Sequence, residues 1–129
     1  MVSRMMRKRL ALIAAFLLVW LGVTCVTVPT ASAASGTISG TIDCFYGNND
    51  LVGVWVNATS GADDWATISG DGRSYSYTLS QTSTYKLHVG CSGTPSNWGA
   101  TMYTPVVNGQ YYNWVCSYST SMGFYCAAS

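Results

Sequence analysis

Asp71-Gly72-Arg73-Ser74-Tyr75-Ser76-Tyr77-Thr78-Leu79 is a turn dipeptide followed by strict alternation. Asp-Gly supplies the left-handed backbone of a tight hairpin. Beyond it, Tyr75, Tyr77 and Leu79 fall on one side of an extended chain, and Ser74, Ser76 and Thr78 on the other. Successive strand residues point to opposite faces, so this period of two reads as a half-buried β-strand.

The same period recurs on both sides. Ile38, Gly40, Ile42 and Cys44 share one face of a first strand, and Val52, Val54 and Val56 one face of a second. A short strand is expected over about Trp65 to Ser69. Tyr85, Leu87, Val89 and Cys91 mark the core face of the strand after the hairpin. The loop Ser92 to Asn97 leads to a strand from about Trp98 to Val107. Asn108-Gly109 reads as another hairpin turn, before strands at Tyr112 to Tyr118 and Phe124 to Ala127. No stretch after Ala33 repeats its apolar residues at the helical spacing of three and four. Seven to eight short strands with frequent turns predict a small antiparallel β-sandwich, with a partial barrel as the alternative.

The chain opens differently. Arg4, Arg7, Lys8 and Arg9 precede an uncharged, largely apolar stretch from Leu10 to Val28, and Ala31-Ser32-Ala33 follows. Basic start, apolar core and small-residue site are the parts of a secretory signal. Residues 1–33 are therefore expected to be cleaved, leaving 34–129 as one domain of 129 less 33, or 96, residues. The alternative is a retained membrane anchor, since the apolar stretch is near spanning length. Pro29 and the Ala-x-Ala site favour cleavage, and Thr24 before Cys25 disfavours lipidation there.

Cleavage reverses the charge. The whole chain carries six Lys and Arg against five Asp. After Ala33 only Arg73 and Lys86 remain against the five carboxylates, a balance of −3. The basic cluster belongs to export, so neither nucleic acid nor, after cleavage, a membrane is an expected partner. A secreted, extracellular protein is expected, with cell-wall association as one possible location and a monomer as its state.

Such a location oxidises cysteines. Cys25 would leave with the signal; Cys44, Cys91, Cys116 and Cys126 remain and allow three pairings. Strand phase favours two bridges. Cys44 is in register with Ile38 and Ile42, and Cys91 with Leu87 and Val89, so both point into the core. Cys116 and Cys126 are equidistant from Ser121, and a hairpin turning there sets them opposite each other.

Val52-Gly53-Val54-Trp55-Val56-Asn57-Ala58, Gly70-Asp71-Gly72 ahead of Tyr75-Ser76-Tyr77, and Thr84-Tyr85-Lys86-Leu87 resemble the transthyretin-like and carboxypeptidase-regulatory-like β-sandwiches. That resemblance spans roughly residues 36–91 and implies a fold used for binding, stalk or accessory roles. His88-Val89-Gly90-Cys91-Ser92-Gly93-Thr94-Pro95 with Trp98, after Val54-Trp55-Val56 and before Cys116 and Cys126, is similar to a group of uncharacterised secreted proteins of actinobacteria. It implies an export route and a fold, and brings no catalytic residue set.

The residues themselves argue against catalysis. His88 is the one histidine, and it alternates out of phase with Leu87 and Val89, so it reads as a surface imidazole beside Lys86. A general base would need a carboxylate such as Asp43 or Asp50 behind it. Asp63-Asp64 cannot form a dyad on a strand, where neighbours face apart. Asn48-Asn49-Asp50 and Asp63-Asp64 carry hard oxygens without an established calcium-loop spacing. No enzyme activity, cofactor or metal is expected; a small hydrolase, which would need His88 or two Asp to converge in a pocket, is the last-ranked reading.

Aromatic residues are the remaining lead. Trp55 opposes the valine face of its strand, and Trp65 and Trp98 sit near loops, where binding residues concentrate. Trp114 shares phase with Tyr112 and Cys116 and reads as core. Trp55, Trp65 and Trp98 are the candidate ligand-binding residues, for polysaccharide or cell-surface material, with core packing as the alternative. A protein–protein element, such as an inhibitor or envelope component, is the second reading. It would use an apolar patch or the loop Ser92 to Asn97.

Overall fold

The computed structural model describes residues 33–129; the export segment read over 1–33 lies outside these, except for Ala33. The elements are β1 (Thr37–Phe45), β2 (Leu51–Ala58), β3 (Asp64–Trp65), β4 (Thr67–Ile68), β5 (Ser74–Thr78), β6 (Tyr85–Thr94), β7 (Asn97–Tyr103), β8 (Trp114–Ser119) and β9 (Gly123–Ala128). They form a five-stranded sheet in the order β4-β5-β1-β8-β9 and a four-stranded sheet in the order β3-β2-β6-β7. The architecture is an all-β sandwich.

The alternating faces meet as the residue pattern requires. Ile38 and Ile42 from one sheet, Val54, Val56, Leu87, Val89 and Met102 from the other, are all at most 1% exposed. Polar atoms inside the core are paired. The Trp114 indole N–H donates to the Tyr75 hydroxyl at 3.2 Å, and that hydroxyl donates to the Tyr112 carbonyl at 3.0 Å. Burial pushes the Tyr75 phenol up to about 12.

Cys44 on β1 joins Cys91 on β6, with Cα atoms 5.7 Å apart, and so ties the two sheets together. Cys116 faces Cys126 directly across the β8–β9 hairpin, at a Cα separation of 4.0 Å. Both pairings are those that strand phase favours.

Turn chemistry explains the β4–β5 hairpin. Gly72 takes a left-handed φ of 69°. One Asp71 carboxylate oxygen accepts the backbone N–H groups of Arg73 and Ser74, each at 2.9 Å, and the other accepts the Ser74 hydroxyl. The Ser74 hydroxyl, then the two backbone donors, hold the Asp71 carboxyl at about 2.

Four local differences from the sequence reading have physical causes. The stretch Trp65 to Ser69 is not one strand. It crosses between the sheets at Ala66, pairing β3 with β2 and β4 with β5, which brings the strands among the described residues to nine. Val52 leaves the valine phase because the β2–β6 register shifts between Leu51 and Gly53, a bulge. Asn108-Gly109 is not a hairpin turn. Pro105 has no N–H to extend the β7 ladder, and β7 ends at Tyr103. The chain then passes from a bridge at Val107 with Tyr85 to one at Tyr111 with Ser39, in the other sheet. That crossing delivers β8 alongside β1 in parallel, so the sandwich contains one parallel pair among antiparallel ones.

Candidate aromatic binding face

Register decides what the outer face of the four-stranded sheet presents. Trp65 on β3 pairs with Trp55 on β2, Trp55 with His88 on β6, and His88 with Tyr103 on β7. Facing residues in adjacent strands share a side, so four rings form one row across all four strands. At strand spacing that row is about 14 Å long. Trp65 is 53% exposed and Tyr103 49%.

Trp98 joins from the side. Its phase on β7, shared with buried Ala100 and Met102, would send it inward. Ser92 and Gly93, at φ 65° and 84°, are two successive left-handed residues that turn this end of the β6–β7 hairpin. The indole instead lies over Gly53 and Gly90, which face each other across β2 and β6. A Cβ at either glycine would come within 3.0 Å of several indole atoms. The bare backbone is thus the surface on which Trp98 rests. Its ring N–H donates to the Pro95 carbonyl at 3.1 Å.

Within this cluster the rings that meet closely stand nearly perpendicular. Trp55 and Trp65 are 5.0 Å apart at 80°, Trp65 and Trp98 5.7 Å apart at 77°, and His88 and Tyr103 4.8 Å apart at 75°. These edge-to-face geometries suit the ring quadrupoles. The Lys86 ammonium lies 5.9 Å from the Tyr103 centroid, within cation–π range. Burial, and then the Lys86 charge, lower the His88 pKa, so the imidazole is neutral at pH 7. Its Nε2 is buried and has no hydrogen-bond partner among the described residues.

The carboxylates serve local structure. Asp63 accepts the Asn57 side-chain amide at 2.7 Å and the Ala58 N–H at 2.8 Å. Asp64 accepts the N–H of Trp65 at 2.7 Å, at the start of the aromatic row. Asp43 does not stand behind His88. It lies on β1, in the other sheet, where it binds Arg73 through Nε and Nη2 at 2.6 and 2.9 Å. Among the described residues no group of three His, Cys, Asp or Glu gathers to hold a metal ion.

The structure therefore brings Trp55, Trp65 and Trp98 into one cluster and leaves Trp114 in the core. Sequence reasoning missed two members, His88 and Tyr103. A signal for them existed, because counting outward from a turn at Pro95-Ser96 sets His88 opposite Tyr103. Comparisons with known protein families, with curated proteins and with solved structures find no match to this chain.

Proposed function

We propose that the protein is a secreted, non-enzymatic binding module whose aromatic face stacks on the sugar rings of polysaccharide or cell-surface material. The observation that carries this reading is the convergence of Trp55, Trp65 and Trp98, with Tyr103, on one solvent-facing sheet surface. Contiguous exposed apolar surface on a small domain marks an interaction site. Pyranose rings offer flat C–H faces to such rings, with hydroxyls left for polar groups at the rim. The two intramolecular disulfides are compatible with an extracellular location. His88 supports binding over catalysis, since its neighbours in the row are Trp55 and Tyr103.

A second reading, a protein partner, has its own observation. Tyr46 and Tyr118 each contact Phe124, at ring distances of 5.1 and 5.0 Å, and Met122 stands exposed at the tip of the same hairpin. Pull-down on chitin, cellulose and purified cell wall, each in native and acid-swollen form, separates the two. Retention lost on Trp65→Ala, with thermal unfolding unchanged, is the expected result. Absence of retention on every polymer refutes the polysaccharide reading and directs attention to the Phe124 cluster.

A further inference from the structure

We infer that the aromatic face binds a single, uncharged polysaccharide chain drawn through a trough, and not the flat face of a crystalline polymer. The inference rests on the polysaccharide reading above and specifies the physical form of its ligand.

Ring orientation is the first argument. A crystalline face is planar, and binding it by stacking needs several aromatic faces in one plane. Here Trp55 and Trp98 meet Trp65 at 80° and 77°, and His88 meets Tyr103 at 75°. When one ring of a pair offers its face, the next offers its edge. Such corners suit one chain whose rings can be gripped from the top and the side.

The recesses beside the rings supply the path. One recess lies between Trp65, Trp98 and Pro95. A second, of about 240 Å³, runs from Trp65 and Pro95 to Val52 and Ile68. A third, of about 560 Å³, continues from Val52, Ile68 and Pro95 to Asn49, Asp50 and Arg73. Shared walls make them one open trough. It exists because the chain crosses between sheets at Ala66 while the Ser92 to Asn97 hairpin stands opposite, with Pro95 forming a wall common to all three. The β2 bulge lies at Val52, which lines two of the three recesses.

Chemistry changes along this path as a glycan chain would require. The aromatic end and the apolar middle take C–H faces. The far end offers the Asp50 carboxylate, the Asn49 amide and the guanidinium of Arg73, which commits two of its five N–H donors to Asp43. Hydroxyls can both donate to the carboxylates and accept from these donors. An anionic polymer is disfavoured there. Arg73 is matched by Asp43, while Asp50 and Asp71 both line the trough, and Asp71 is ionised down to about pH 2.

Affinity electrophoresis of the oxidised protein tests the inference, using gels containing hydroxyethylcellulose, glycol chitin or carboxymethylcellulose. Sedimentation with crystalline cellulose and crystalline chitin runs in parallel. Retardation by a neutral soluble polymer is expected, at least about tenfold weaker in Trp65→Ala and in Val52→Trp, which fills part of the trough. Near-UV circular dichroism and thermal unfolding confirm that each variant is folded. Binding to the crystalline polymers as tight as to the soluble ones overturns the single-chain inference and leaves the binding-module reading standing. So does undiminished binding by folded Val52→Trp. Stronger retardation by carboxymethylcellulose than by hydroxyethylcellulose overturns the uncharged assignment. Failure to bind carbohydrate in any form removes both the inference and the reading beneath it.

Discussion

Gly90→Ala adds one methyl group, and its effect should change sign with the residue at position 98. The three atoms nearest the added Cβ all belong to the Trp98 indole, all under 3.0 Å, so the ring must lift or the strand must move. Gly90 is not among the residues with positive φ, so the backbone itself accepts alanine. Overpacking of this kind costs about 1–3 kcal/mol. Against it stands the general gain of about 0.5–1 kcal/mol when alanine replaces glycine in a strand interior. In the wild-type background the substitution should therefore destabilise, by up to about 2.5 kcal/mol. With Trp98→Ala already made, the collision is gone and the same substitution should stabilise by about 0.5–1 kcal/mol.

A double-mutant cycle reads this directly. Urea unfolding of the disulfide-intact protein, followed by far-UV circular dichroism, gives the four stabilities, and each kcal/mol corresponds to a shift of about 4–8 °C in Tm for a domain of this size. The lifted indole should also weaken retention on polysaccharide, because Trp98 and Trp65 then lose their 5.7 Å approach. A cost for Gly90→Ala that is equal in both backgrounds would falsify the role given to the bare glycine pair. A stabilising effect in the wild-type background does the same.

Three further outcomes follow from other sites. Replacing Cys44 and Cys91 together by alanine opens a closure of 47 residues and should destabilise by about 4 kcal/mol on loop entropy, against about 3 kcal/mol for the 10-residue closure at Cys116 and Cys126; equal losses in urea unfolding would contradict the ranking. The Asp71 carboxyl is held at about 2, below its ordinary 3.8, so its stabilising effect is present above about pH 4 and disappears as the pH falls to about 2. Asp71→Ala should remove that part of the acid limb, and acid titrations of the two proteins that run parallel over this range would refute it. His88 has a lowered pKa from burial, with Lys86 opposing its charge and Asp63 favouring it. Its neutral form stabilises the fold above the ordinary histidine value of about 6.5, and that contribution is lost as pH falls below it toward the folded value. His88→Phe should lose less stability than wild type between pH 7 and pH 5, and an identical loss in both proteins counts against the assignment.

Much of this fold is legible in the chain because burial imposes a period of two wherever one face of a strand is covered. Tyr85, Leu87, Val89 and Cys91 are each fully buried as their alternation requires. The bridge from Cys116 to Cys126 follows from hairpin symmetry alone. What escapes the sequence is whatever breaks phase or depends on distant pairing. The bulge at Val52 shifts a strand by one residue without altering its composition. Two left-handed residues at Ser92 and Gly93 bring Trp98 to the outer face although its alternation points inward. At Asn108-Gly109 local turn propensity yields to Pro105 and to the vacant side of β1, which takes β8 in parallel. The aromatic row is intermediate. Its three tryptophans are visible one by one, but their meeting depends on three separate registers across four strands.

The two outer faces of the sandwich separate what folding needs from what it does not. On the five-stranded sheet the outward pairs across β1 and β5 are Thr37 with Thr78, Ser39 with Ser76, and Thr41 with Ser74. The Thr37 and Thr78 hydroxyls meet at 3.0 Å, and this β1–β5 part of the face is small and polar, whereas Phe45 stands exposed at the far end of β1. A solvated sheet face asks for nothing more. The four-stranded sheet belongs to the same domain, yet carries Trp65, Trp55, His88 and Tyr103 in the equivalent outward positions. It also sets two glycines opposite each other in its central strands, each a liability of about 0.5–1 kcal/mol relative to alanine. Threonine or valine at those positions would suit the strands only if Trp98 were absent, because either would leave its indole nowhere to lie. The bare backbone at Gly53 and Gly90 leaves room for an indole at the surface, an arrangement that fits the binding face proposed above.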